Sequence, residues 1–570
     1  MKNRVFTRTF LRMRGNGLTI GKLMGAGALV VGLQFVGFAQ NSQARNKEIL
    51  DSAEIRFQEN THRVVLDDQS KIIPWTTPQS KAYDLFLHQR WNFIKHKVPA
   101  SPGPAPRSLY PQYYFYCAYR PKNGTLEPDV WMNDIGEKIP NWFESARLYY
   151  AYTGDTSVMN IIEKFAMYVL EHGTSPANFS WPNFPYTTTN AGDTLYRGFT
   201  SAKRFVLHEI QVDHASEIGL AYYRLYLYTG KEKFKTAAMN VANTLAKKVR
   251  PGSASQSPWP YLVIMDSGKI TSEYGANWTG AYTLLSELVK AKIGNVDAYK
   301  KACTHVKDFI LNHPLKTGYW TDGHSDNAVT SNTYKSNLSA SNFKLFMFDF
   351  PDFNANWKKD IPKLIEWTEK YFIERGDRRE PGNMWGANIV GEQDDFLFKM
   401  DYQTARYAAE CARWYALSGD ESYKEKAYRA LNWVTYCNDA EGMAFESPLS
   451  KGISSWWSDC YGEGPRMFYH AFAGIPEWAP PMEDHILYSE GILKDVSYAN
   501  KKIQYTATDI GGTEFLRLSF KPASINVNGT KISERPDLTK EGYTLKDLGG
   551  GDYAVQIKRI KAGKVIVAGM

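Results

Sequence analysis

Cysteine is scarce in this chain and poorly placed for chemistry. The five cysteines (Cys117, Cys303, Cys411, Cys437, Cys460) stand far apart and show no C-x-x-C spacing, which excludes a zinc ribbon or a thioredoxin-like redox motif. Cys411 and Cys437 fall in the two arms of one predicted hairpin, where a disulfide and two separate buried thiols both stay open as readings. A membrane-length apolar run is missing as well. The apolar stretch at 24–39 is shorter than the roughly 20 residues that cross a bilayer. It follows six basic side chains and no acid in the first forty residues, and reads as a secretory signal cleaved near Ala39 or Gln40. Without that segment the formal charge falls from +8 to +2, so the basic balance gives no support for nucleic-acid binding. No basic run with interleaved aromatics appears elsewhere. Asp394-Asp395 and Asp322-x-x-x-Asp326 offer hard oxygens without an ordered calcium-loop spacing, so neither metal nor cofactor is expected.

What the chain does have is a recurring residue. A carboxylate or tyrosine precedes a small-and-aromatic helical stretch at Asp134, Asp213, Glu273, Tyr334, Asp401 and Asp459, at steps of 58 to 79 residues. That step is about the length of a helical hairpin with its loops, longer than a typical solenoid repeat. Six such hairpins can close into a ring and bring all six helix starts to one face around one cavity.

The local signals agree. Helical patterns at 140–152, 215–228 and 404–417 break at Thr153-Gly154-Asp155, Thr229-Gly230 and Ser418-Gly419-Asp420, where glycine supplies a left-handed cap and the next residues start a partner helix. Helices over 278–292 and 296–312, and over 339–348 and 354–372, continue the series. The sixth, near 463–472, lacks a following partner, and the helix predicted over 81–97 fills the gap. First members carry small residues on several sides, as helices buried all round do; second members show one apolar stripe. The expected fold is mainly α, an (α/α)6 barrel over 81–483, after a signal (1–40) and a polar arm (41–80). Short alternating runs with Asn528-Gly529 and Gly549-Gly550-Gly551 turns predict a small antiparallel β-domain over 484–570.

The run Trp131-Met132-Asn133-Asp134, followed by Trp142, Ala146, Leu148, Tyr149 and Tyr152-Thr153-Gly154-Asp155, is similar to the first active-site hairpin of the unsaturated glucuronyl hydrolases, within the six-hairpin glycosidase superfamily and beside the related toroidal polysaccharide lyases. The resemblance implies one aspartate at this helix start and a second at the next, which are Asp134 and Asp213 here, the latter in His208-Glu209-Ile210-Gln211-Val212-Asp213-His214. It implies a secreted or periplasmic glycoside hydrolase acting on a uronate-containing poly- or oligosaccharide, without stable membrane insertion once the signal is cleaved.

The chemistry is consistent with that. Glycosidic cleavage needs a protonated carboxylic acid and a second carboxylate that activates water or attacks carbon. Glu273, Asp401, Asp459 and Glu463 stand in reserve for Asp134 and Asp213. Sugar binding asks for aromatic faces and directional polar groups, which Trp131, Tyr274, Asn277, Tyr402, Trp457 and Tyr461 supply. Arg197, Arg204 and Arg466 can grip a carboxylate. The alternative is a lyase with His214 or Tyr274 as base beside Asn277 and Arg204; the third reading is a glycan-binding protein without catalysis.

Overall fold

The computed structural model describes residues 63–122, 125–201, 204–321, 334–373, 384–395, 397–448 and 457–570. The expected signal segment, Asp322, Asp326, Trp456 and the side chain of Trp457 lie outside them.

Twelve helices longer than one turn are present among the described residues: α1 Gln79–His96, α2 Ile135–Thr153, α3 Thr156–His172, α4 Val212–Thr229, α5 Glu232–Lys248, α6 Thr279–Ala291, α7 Val296–Asn312, α8 Asn337–Asp349, α9 Trp357–Phe372, α10 Asp401–Ser418, α11 Glu421–Thr435 and α12 Trp457–Gly474. The hairpin joints follow the expected chemistry. Gly154, Gly230 and Gly419 sit at φ 77°, 73° and 70°, and each N–H donates to a carbonyl four residues back. Asp155 and Asp420 then cap the partner helices by accepting from the N–H groups of Ser157 and Ser422.

Even-numbered helices pack in a cycle: α2 on α4, α4 on α6, α6 on α8, α8 on α10, α10 on α12, and α12 back on α2. Each also packs chiefly on one odd-numbered partner, and α1 takes the place beside α12. Burial separates the two sets. Every residue of α10 from Asp401 to Arg413 is buried, whereas α5 buries a stripe of Phe234, Ala237, Ala238, Val241, Ala242, Thr244 and Leu245. A helix enclosed by neighbours needs small or paired residues on all sides; one with an outer face needs only the stripe.

Several expectations shift. The end of the polar arm carries a short ladder: Val65–Leu66 and Ile72–Ile73 form a hairpin, held by Arg429 through Asp67 at 2.8 Å and the Ile72 carbonyl at 2.7 Å. Glu273 and Tyr334 precede their helices, as expected, but at a greater distance than the other four. The reason at Glu273 is a β-hairpin, Leu262–Ile264 with Lys269–Ser272, that ends just before it. No disulfide joins any two of the five cysteines among the described residues, and Cys411 and Cys437 are separate buried thiols.

From His485 the chain is β: β1 His485–Ser489, β2 Leu493–Ala499, β3 Lys502–Ala507, β4 Gly512–Leu518, β5 Pro522–Val527, β6 Thr530–Lys531, β7 Gly542–Gly549, β8 Asp552–Arg559 and β9 Gly563–Gly569. They form two antiparallel sheets, β1-β4-β8-β7 and β2-β3-β9-β5-β6, with Ile503, Tyr505, Leu516, Val555, Val565 and Val567 between them. This region seats on the C-terminal ends of the even-numbered helices. His485 stacks on Tyr152 at 3.9 Å, the N–H of Val496 donates to Tyr150 Oη at 3.0 Å, and Arg147 donates to the Ser489 carbonyl at 2.8 Å. The helix starts are thereby left at the other end.

Candidate active site

Two helix starts meet because two positions tolerate no side chain or only a tied one. A Cβ on Gly136 would stand 2.7 Å from His214 Cβ, so glycine lets α2 and α4 close on each other. The N–H groups of Ile135 and Gly136 both donate to the Thr187 carbonyl at 2.8 Å, and Asn133–Asp134 pairs with Thr188–Thr189 as a short ladder. Lys138, fully buried, donates to the carbonyls of Tyr113 and Tyr116 at 2.9 Å and to Asn133 Oδ1 at 2.5 Å. The loop that presents Asp134 is thus pinned from beneath.

The result is a cluster. One donor atom each of Asp134, Glu137 and His214 lie within 4.8 Å of one another; His214 Nε2 is 3.6 Å from Glu137 Oε1 and 4.0 Å from Asp213 Oδ2. They line a cavity of about 50 Å³ together with Trp131, Gln211, Tyr261, Glu392, Tyr402 and Asp459. Beyond Glu137 and His214, which line both, a chamber of about 1090 Å³ continues past Glu217, Glu463 and Arg466 to Asp509 and Thr513 of the β region.

Proton occupancy differs around these walls. Burial first, then the charges of Asp134 and Asp459, hold the Glu137 carboxyl well above the ordinary carboxylate range. Burial, then Glu463 and Asp134, do the same to Asp459. Burial pushes Glu217 up to about 7 against the opposing pull of Arg466 and the Asn277 hydrogen bond. Glu463 goes the other way: burial would raise it, but the Arg406 and Arg466 guanidinium groups outweigh burial and hold it low. Carboxyl groups of raised and of lowered proton affinity thus share these walls.

The expected site residues divide. Asp134, His214, Trp131, Tyr402 and Asp459 line the small cavity; Glu463 lines the chamber, and Asn277 stands behind it, donating to Glu217 Oε1 at 3.2 Å. Arg204 lies over the Trp131 ring at 4.6 Å. Asp213 is only 1% exposed and lines neither cavity. Asp401 is committed to Arg90 at 3.1 Å, with both side chains buried. Tyr461 donates to the Gly442 carbonyl and accepts from the Ala444 N–H, both at 2.9 Å. Glu273 pairs with Arg250 at 2.5 Å on the surface, and Tyr274 stacks on Tyr319 at 5.3 Å. For Asp401 and Tyr461 the reason is the same: their polar atoms are consumed by structural partners, so they are not poised for a sugar. Glu137, Gln211, Glu217, Tyr261 and Glu392 were not singled out from the sequence. The signal for two of them was helical spacing, since Asp134/Glu137 and Asp213/Glu217 are i,i+3 and i,i+4 pairs.

No family model matches the chain, and no curated protein matches it. Among solved structures it is similar to cellobiose 2-epimerase from Spirochaeta thermophila DSM 6192, at 10% identity over 68% of this chain and 96% of that one, with a TM-score of 0.47. It is also similar to D-mannose isomerase (11%, 69% and 98%, TM-score 0.49) and to an unsaturated glucuronyl hydrolase specific for heparin (11%, 69% and 96%, TM-score 0.39). These neighbours are six-hairpin glycosidase-like enzymes.

Proposed function

We propose that this chain is an exported glycoside hydrolase whose twelve helices form an (α/α)6 barrel over 81–483, with the β region over 484–570 closing its far end. The observation that carries the reading is the convergence of Asp134, Glu137, Asp459 and His214 on one mouth between Trp131 and Tyr402. Asp459, whose proton affinity is raised by burial and by Glu463 and Asp134, gives its proton to the leaving glycosidic oxygen. Asp134, whose negative charge helps keep protons on Glu137 and Asp459, activates water. His214 stands between Glu137 and Asp213 and orients the Glu137 carboxyl. Asp213 supports from beneath; the second working carboxylate is Asp459. Trp131 offers a ring face to a sugar.

Four carboxylates line the small cavity with no lysine or arginine among its described lining residues, which favours a neutral sugar at the point of attack over the uronate expected from the resemblance. Assay of secreted protein on a panel of neutral and acidic oligosaccharides tests this: new reducing ends that disappear in Asp459→Asn support it. A second reading is elimination, favoured by Tyr261 and Tyr402 lining the same cavity as His214; release of an unsaturated product absorbing near the ultraviolet edge would replace the hydrolase. No product from any glycan, with binding retained, would leave a binding protein.

A further inference from the structure

We propose that Asp134, Glu137, His214 and Gln211 form a binding site for one first-row divalent cation at the floor of the mouth. Sequence spacing pointed to no metal, because the four ligands come from two helix starts brought together only by the fold.

Two independent observations point there. The donor atoms of Asp134, Glu137 and His214 fall within 4.8 Å of one another, and the 3.6 Å between His214 Nε2 and Glu137 Oε1 is close to the roughly 3.0–3.5 Å that separates neighbouring ligands about 2.1 Å from a common ion. Gln211 is only 4% exposed and lines the same cavity. Its Nε2 donates to Tyr261 Oη at 2.9 Å, yet its Oε1 has no hydrogen-bond partner. A buried amide oxygen in that state is an acceptor open to a donor or a cation.

Charge agrees. Asp134, Glu137, Glu392 and Asp459 face the cavity, while the nearby Lys138 ammonium is spent on two carbonyls and Asn133. The two helix N-termini, each worth about half a positive charge, offset roughly one of the four carboxylates. One imidazole nitrogen with three oxygens suits Mn²⁺ or Zn²⁺ better than Ca²⁺, which takes six to eight oxygens. Because Glu137 and His214 line both the mouth and the chamber, remaining positions on the ion face the space a sugar would occupy, and its hydroxyl oxygens can complete the shell.

The test is titration of the full chain, stripped with EDTA and desalted, with MnCl2 by calorimetry, and with CaCl2 in parallel. One Mn²⁺ per chain is expected, bound at least about tenfold more tightly than Ca²⁺. Glu137→Gln and His214→Ala should each weaken Mn²⁺ by about tenfold or more, and Glu273→Gln should leave it unchanged. Pulsed electron paramagnetic resonance of the bound Mn²⁺ on the unaltered protein should show coupling to a ligand nitrogen, a result that does not depend on any variant folding. Absence of saturable binding, equal affinity for Ca²⁺, or a bound ion without nitrogen coupling overturns the proposal. Binding is read without substrate, so it can succeed while the hydrolase reading fails, and turnover that survives EDTA with no Mn²⁺ bound would do the reverse.

Discussion

The two ends of the helical ring use the same residue types to opposite purposes. At the helix starts, Asp134, Glu137, Glu392 and Asp459 crowd one small cavity, and burial among like charges raises the proton affinity of two of them. Toward the β region several buried acids have an arginine. Glu144 takes Arg147 at 2.5 Å and Arg224 at 2.7 Å and is held far below the ordinary carboxylate range. Asp349 takes Arg413 at 3.1 Å, and Glu514 takes Arg559 at 2.6 Å. A buried carboxylate with a guanidinium partner is mortar; one among its own kind is reactive.

The sharpest way to break the contrast is to remove one acid from the mouth. Asp459→Asn keeps size and loses the proton, so kcat on a cleaved glycan should fall by about 10²–10⁴ with an unchanged melting temperature. Next comes a paired acid. Arg90 donates to Asp401 at 3.1 Å and to the carbonyls of Cys460 and Cys437 at 2.8 and 3.0 Å; Arg90→Met strands a buried carboxylate and should cost about 3–5 kcal/mol in urea unfolding. Adding Asp401→Leu should restore much of that, and a double variant as unstable as the single one would show that the arginine acts through its carbonyl contacts instead.

A smaller effect sharpens the boundary between the two ends. Glu217 is raised from 4.5 to about 7 in the folded protein. Its contribution is full below about pH 4.5 and is lost as pH rises through about 7, because the unfolded chain releases that proton first. Between pH 5 and pH 8 the protein should therefore lose on the order of 1–3 kcal/mol relative to Glu217→Gln; equal slopes for the two would contradict the raised value. Least of all should change with Glu273→Gln. Its side chain is 42% exposed and paired with Arg250 at the surface, so a stability loss above about 1 kcal/mol would be out of place.

Much of the fold was legible because its signals are local. The Tyr-Thr-Gly joints cap helices through their own neighbours, and α2, α4, α10 and α12 begin within two residues of Asp134, Asp213, Asp401 and Asp459. The site was legible only in part. Successive helical residues point about 100° apart, so Asp213 and His214 cannot face the same way, and the sequence alone does not say which looks inward. It is His214 that lines both cavities. Asp401, equally regular in the repeat, turned out to answer Arg90 more than 300 residues earlier in the chain.

By itself, then, the sequence determined the hairpins, the difference between enclosed and outward helices, the β-rich end and the recurrence of acids at helix starts, since each follows from propensity, capping or periodicity within a short stretch. Tertiary structure alone decided which acids share a cavity, which are neutralised by distant arginines, and that Glu137 and Gln211 join Asp134 and His214. Proton affinity and ligand geometry depend on what stands a few ångströms away in space, and those neighbours come from helices far apart in the chain.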